Sequence, residues 1–137
     1  MNKKIASGIY KVNVVKMELK GSKNGDPMVS IWFKVVPQGK YTNKLIFMNQ
    51  VITEGYQIHI VNELLRSLTE NLTDVNIEFI NYPQYSKLLD DLVKKIRNKF
   101  IYLLDYKQNT KGYKLFKIVK TFNVKEKGSS LDVKIAK

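Results

Sequence analysis

Met28-Val29-Ser30-Ile31-Trp32-Phe33-Lys34-Val35 repeats with a period of two: Val29, Ile31, Phe33 and Val35 share one parity, and Met28, Ser30, Trp32 and Lys34 the other. A strand sends successive side chains to opposite faces, so this stretch reads as a strand with an apolar core face. Its outward face carries Trp32, the single tryptophan of the chain. Upstream, Gly8 to Lys20 is rich in β-branched and aromatic residues (Ile9, Tyr10, Val12, Val14, Val15) and stops at Gly21-Ser22-Lys23-Asn24-Gly25, a strand ending in a loop. Downstream, Pro37-Gln38-Gly39 closes the second strand, and a third runs from about Lys44 to Ile52 through Leu45, Ile46, Phe47 and Met48. The loops are short, so the three strands should form an antiparallel meander.

The period then changes. Thr53 can cap a helix with Glu54 in its first turn, and Ile58, Val61, Leu65, Leu68 and Leu72 recur at spacings of three and four. Val75-Asn76-Ile77-Glu78-Phe79 alternates and is open to reading as a short strand. After Pro83 a second helix presents Leu88, Leu89, Leu92, Val93 and Ile96 on one face and Asp90, Asp91, Lys94 and Lys95 on the other, its acids preceding its bases as the helix dipole favours. Phe100 to Lys107 and Tyr113 to Phe122 are strand-like runs joined by Gln108-Asn109-Thr110-Lys111-Gly112. Lys114, Lys117 and Lys120 fall every third residue in the second run, which a β-bulge would reconcile with a single inward face. The expected fold is therefore mainly β with a helical insertion, of the α+β kind: β1-β2-β3-α-α-β4-β5, the order of a five-stranded OB-like barrel. Other small α+β folds share that order. Residues 1–122 should form one domain, and 123–137, polar and lysine-rich, a mobile basic tail.

Composition bounds the chemistry. At 137 residues, 44% hydrophobic and 26% charged, the chain suits one folded domain. It has no cysteine and one histidine, His59, which excludes disulfides, thiolate chemistry and the usual zinc sites. No apolar run approaches the roughly 20 residues of a membrane helix, and the expected location is the cytoplasm, with no membrane partner. The formal charge is +12, with 24 cations of which only Arg66 and Arg97 are arginine. Residues 1–53 carry nine cations and two anions, 54–91 two and seven, and 92–137 thirteen and three. One cationic face and one that is not follow from this, and a polyanion is the expected partner.

Two stretches carry a resemblance. Gly8-Ile9-Tyr10-Lys11-Val12 followed by Lys20-Gly21-Ser22-Lys23-Asn24-Gly25-Asp26-Pro27-Met28, and later Leu104-Asp105-Tyr106 with Lys111-Gly112-Tyr113-Lys114-Leu115-Phe116-Lys117-Ile118, resemble a family of small proteins from phages of low-GC Gram-positive bacteria. That family, long classed as a domain of unknown function, is encoded in replication and recombination modules and is often described as single-stranded-DNA-binding. The resemblance implies a place in phage or mobile-element DNA replication or recombination, with a recombinase or helicase loader as a further partner. The basic ending Val133-Lys134-Ile135-Ala136-Lys137 departs from the acidic tail by which many single-strand-binding proteins recruit partners.

Catalytic patterns fail on inspection. Glu18-Leu19-Lys20 has the spacing of some metal-dependent nucleases but no acidic residue precedes it to share the metal. Asp90 and Asp91 are adjacent on a helix and diverge. Gly21-Ser22-Lys23-Asn24-Gly25 lacks the ending of a phosphate loop, and His59 has no activating neighbour in sequence. The expectation is a binding protein, not an enzyme, without cofactor or metal. What remains is lysine interleaved with aromatics: Trp32 and Lys34; Lys40, Tyr41 and Lys44; Tyr106 and Lys107; Lys111, Tyr113, Lys114 and Lys117. Lysines tracking phosphates and aromatic faces stacking on bases are what sequence-tolerant single-strand binding needs, whereas duplex readers lean on arginine. Trp32, Tyr41, Tyr106 and Tyr113 are the stacking candidates; Phe33, Phe47, Phe79, Phe100 and Phe122 are expected in the core. Single-stranded DNA is the expected ligand, and the residues do not separate it from RNA. A protein-interaction module working through the acidic helices of 54–91, as a replication accessory subunit or host-factor inhibitor, is the alternative.

Overall fold

The computed structural model describes residues 5–37, 39–124 and 133–135. Five strands and two helices follow the expected order: β1 Gly8–Gly21, β2 Pro27–Val35, β3 Leu45–Val51, α1 Gly55–Leu68, α2 Tyr82–Ile96, β4 Phe100–Gln108 and β5 Lys114–Val124. A sixth strand, β6, spans Val133–Ile135 and pairs antiparallel with Phe122–Val124. Part of the expected tail is therefore a strand, and β5 runs two residues past its expected end; 125–132 lie outside the described residues.

All six strands form one antiparallel sheet in the order β3-β2-β1-β4-β5-β6. The expected closed barrel is not what forms: among the described residues β3 and β5 are not neighbours, and the sheet is open between them. Side chains of α1 line that opening, and no strand of the described residues bridges it. Helix α1 packs against β5 and β3, and α2 lies against β1. Both helices sit on the same sheet face, because Val61, Leu65 and Leu68 of α1 and Tyr85, Leu89, Leu92 and Ile96 of α2 share one buried cluster with Val12, Val29, Ile31, Phe33, Tyr102 and Leu104.

Two bulges keep that face apolar. In β5, Leu103 pairs with Lys120 and Leu104 with Ile118, so Val119 is the extra residue that resolves the three-residue lysine spacing. In β1, Val14 pairs with Phe33 and Lys16 with Trp32, so Val15 is extra, and both Val14 and Met17 reach the core while Lys16 and Glu18 point outward.

Local chemistry sets the helix ends. Helix α1 starts one residue later than expected: Glu54, not Thr53, is the N-cap, and the Gln57 side chain accepts from the Glu54 N–H at 2.9 Å. In α2 the Asn81 side chain accepts from the Gln84 N–H at 2.8 Å, with Pro83 in the first turn. The segment 75–79 is not a strand; Ile77 is buried and Phe79 packs edge-on against Tyr82 and Tyr85 at 5.2 and 5.0 Å. No helix among the described residues is long and apolar enough to cross a membrane.

Candidate nucleic-acid interface

The helices cover one face of the sheet, and the other faces outward. On β2, the parity that buries Val29, Ile31, Phe33 and Val35 turns Trp32 and Lys34 to the open face, as their alternation requires. The strand register then sets their neighbours. Trp32 stands opposite Phe47 of β3 and Lys16 of β1. The Phe47 ring meets the indole edge-to-face at 5.3 Å, and the Lys16 ammonium lies 4.5 Å from the ring centroid. The indole N–H donates to Ser30 Oγ at 3.2 Å, which fixes the ring's orientation. Glu18 holds Lys16 at 3.6 Å and Lys20 at 3.8 Å, keeping both lysines in the row beside Trp32.

Phe47 corrects an expectation. It is not core: it is 38% exposed and belongs to the Trp32 patch. Phe122 also sits on the outward face, half-buried under the Lys11 ammonium at 5.5 Å from its centroid. Phe33 and Phe100 are buried as expected. Lys11, Lys16 and Phe47 were absent from the sequence-derived site. Phe47 was missed because Leu45-Ile46-Phe47-Met48 is apolar at every position, so its parity is fixed only by pairing with β2.

The remaining candidates separate into three groups. Lys107 and Lys117 lie on the outward face of β4 and β5 around Asp105, which pairs in register with Lys117 and contacts the Lys107 ammonium at 3.8 Å. Lys40, Tyr41 and Lys44 occupy the β2–β3 connection. There Tyr41 packs edge-on against Tyr10 at 5.8 Å with the Lys40 ammonium 5.3 Å from its centroid. Lys111 and Tyr113 belong to the β4–β5 hairpin, where Asn109 Oδ1 accepts from both of their backbone N–H groups, at 2.9 and 3.0 Å. Tyr113 is 70% exposed, and with Lys114 it borders the opening between β3 and β5. The pairings Gly8 with Tyr106 and Val12 with Val35 place this hairpin and the β2–β3 connection at the same end of the sheet.

Tyr106 is removed from the stacking set. It is 4% exposed, packs on Phe116 at 5.5 Å, and burial pushes its phenol above the usual range. Neighbouring Tyr10 is raised too, first by burial and then by Tyr41 and Tyr106. A ring enclosed in this way offers no face to a base.

The two layers differ in charge. Lys11, Lys16, Lys20, Lys34, Lys107, Lys117 and Lys120 accompany Glu18 and Asp105 on the outward face. On the helical side Glu63, Glu70, Asp74, Glu78 and Asp90 are exposed together with Arg66, Lys87, Lys94 and Lys95, so that side is mixed in sign where the outward face is predominantly basic. Among the described residues, no three His, Asp or Glu side chains are grouped as a metal would require.

No curated protein matches the chain. A family model described as "Protein of unknown function (DUF669)" matches residues 2–130, and by that match, which covers nearly its whole length, the chain belongs to that family.

Proposed function

We propose that the open face of the sheet binds single-stranded nucleic acid, DNA in the first instance, without reading its sequence, in phage or mobile-element replication or recombination. The observation that carries this reading is the Trp32–Phe47 pair flanked by Lys16 on the face of the sheet opposite α1 and α2. A base displacing Lys16 from the indole loses a cation–π contact of about 0.5–1 kcal/mol at an exposed site and gains stacking of roughly 1–3 kcal/mol. The freed ammonium can then meet a phosphate, so the exchange favours binding. We read the sheet as an OB-type path opened between β3 and β5. In OB domains the strand 2–3 face is a common binding surface, and Trp32 and Phe47 stand on those strands. Nothing in this arrangement calls for a catalytic step.

Titration with oligo(dT) tests the reading. Trp32 is the only tryptophan, so stacking should quench the intrinsic fluorescence, and duplex of equal length should compete poorly. Emission unchanged by saturating oligo(dT), or tighter binding to duplex, would remove it.

A second reading, a protein partner docked on the acidic helical side, draws support from exposed Tyr56 and Ile80 among the acids. Such a module should ignore oligo(dT) at physiological salt, which separates the two.

A further inference from the structure

The opening between β3 and β5 is a groove of about 580 Å³ that Trp32 does not line. Met48, Ile60, Leu64 and Phe116 form the apolar part of its wall, beside Lys114 and beside Glu63, whose carboxylate Arg66 holds at 2.7 Å, and Leu115 and Lys117 line its outer lip. Ile60 is 49% exposed and Leu115 66%, so two large apolar side chains stand at the groove uncovered. Both flanking strands present free edges there. Among the described residues β3 has no strand beyond it, and β5 is paired on that side only along Phe122–Val124, by β6. Strand β6 shows that this edge of β5 accepts an antiparallel chain, and among the described residues nothing pairs with the edge from there toward Lys114. Edge strands are commonly blunted by charge, yet Leu45–Val51 contains none.

We infer that the groove is a strand-addition site for an extended segment of another protein, running antiparallel to β5 and alternating apolar with acidic side chains. The alternation follows from the walls. A strand in the gap turns every second side chain inward, against Met48, Ile60, Leu64 and Phe116, and the others outward, beside Lys117 and toward Lys120 farther along β5. Acidic residues there gain cross-strand opposite-charge pairs. Two alternative occupants fit the groove less well. Strand edges offer both N–H donors and C=O acceptors, whereas a nucleic-acid backbone supplies phosphate acceptors and no donor to match the carbonyls. A second folded copy would have to bring a sheet edge into a gap walled on both sides, which a free extended segment enters more readily. The site shares Lys117 and Lys120 with the outward face but not Trp32, and Ile60 belongs to the groove alone, so Trp32 and Ile60 separate this site from the nucleic-acid reading.

The test is fluorescence anisotropy with three end-capped, fluorescein-labelled octapeptides: alternating leucine and aspartate, the same residues in two blocks, and alternating leucine and lysine. The alternating leucine–aspartate peptide should bind about tenfold or more tighter than either control. Ile60→Asp, at a half-exposed position, should weaken it by at least about tenfold, and Lys117→Glu should shift the preference toward the leucine–lysine peptide. Circular dichroism of both variants verifies that they fold. No saturable binding, equal binding of the three peptides, or affinity indifferent to both substitutions would overturn the proposal. So would loss of oligo(dT) binding in folded Ile60→Asp with no peptide bound to the wild type, which would assign the groove to nucleic acid. Failure of oligo(dT) binding with the peptide result intact would sink the single-strand reading alone.

Discussion

At the scale of single residues, Trp32 and Tyr102 show how differently two aromatic side chains are used. Trp32 is held by Ser30, Phe47 and Lys16 without entering the core cluster, so its removal should cost binding and little stability. Trp32→Ala should weaken oligo(dT) binding by about tenfold to a hundredfold, and Phe47→Ala by a smaller factor, with thermal melts near that of the wild type. If Trp32→Ala instead lowers the melting temperature steeply and leaves oligo(dT) affinity unchanged, the indole is a packing residue. Tyr102 is fully buried and donates its hydroxyl to the Leu68 carbonyl at 2.6 Å, satisfying a carbonyl in the last turn of α1. Tyr102→Phe leaves that carbonyl without its partner and should cost about 1–3 kcal/mol in urea unfolding. Burial also raises the phenols of Tyr102 and Tyr85, which donates to Asn62 Oδ1. A folded-state value above the unfolded value of about 10 means the native state keeps the proton longer. The stabilisation is then complete below about pH 10 and is lost as pH rises beyond it. Alkaline unfolding followed by circular dichroism should set in above about pH 10, with a shallower slope in Tyr102→Phe.

Elements are defined here by caps and bulges as much as by apolar runs. Asn81 and Gln84 cap α2 reciprocally: Asn81 Oδ1 accepts from the Gln84 N–H, while Gln84 Oε1 accepts from the Ile80 N–H at 2.8 Å and Gln84 Nε2 donates to the Glu78 carbonyl at 2.9 Å. Helix α2 supplies four buried side chains to the core, so fraying of its first turn is felt globally. Asn81→Ala should destabilise the protein by about 1 kcal/mol, read as a shifted urea midpoint at constant slope. An unchanged midpoint would mean that Pro83 and the Gln84 contacts hold the turn unaided. The bulge at Val119 was legible as a conflict, because lysines every third residue cannot share one face of a regular strand. The bulge at Val15 was not, since Val14-Val15 reads equally well in either register until β2 is laid beside it.

For the molecule as a whole, the proposed single-strand binding rests on the excess of lysine on the open face of the sheet. If about five phosphates are neutralised on the open face, the logarithm of affinity should fall with that of salt at a slope of about −3.5, from roughly −0.7 per contact. A slope near zero would count against an electrostatic single-strand grip. Glu70 and Asp90 are exposed on the helical side, so Glu70→Gln with Asp90→Asn should change oligo(dT) affinity by no more than about a factor of a few, screening having weakened their coupling. A large loss would move the binding site to the helices. The order of elements, the parity of β2 and the alternation of basic, acidic and basic segments were all legible in the chain, because periodicity and charge are local properties of sequence. The neighbours of Trp32, the burial of Tyr106, the outward turn of Phe47 and the open seam between β3 and β5 were not. Each depends on which strand lies beside which and in what register, and on α1 lining the seam where a barrel would close. Pairing joins residues far apart in the chain, and a run such as Leu45-Ile46-Phe47-Met48, apolar on both parities, contains no local preference for one face over the other.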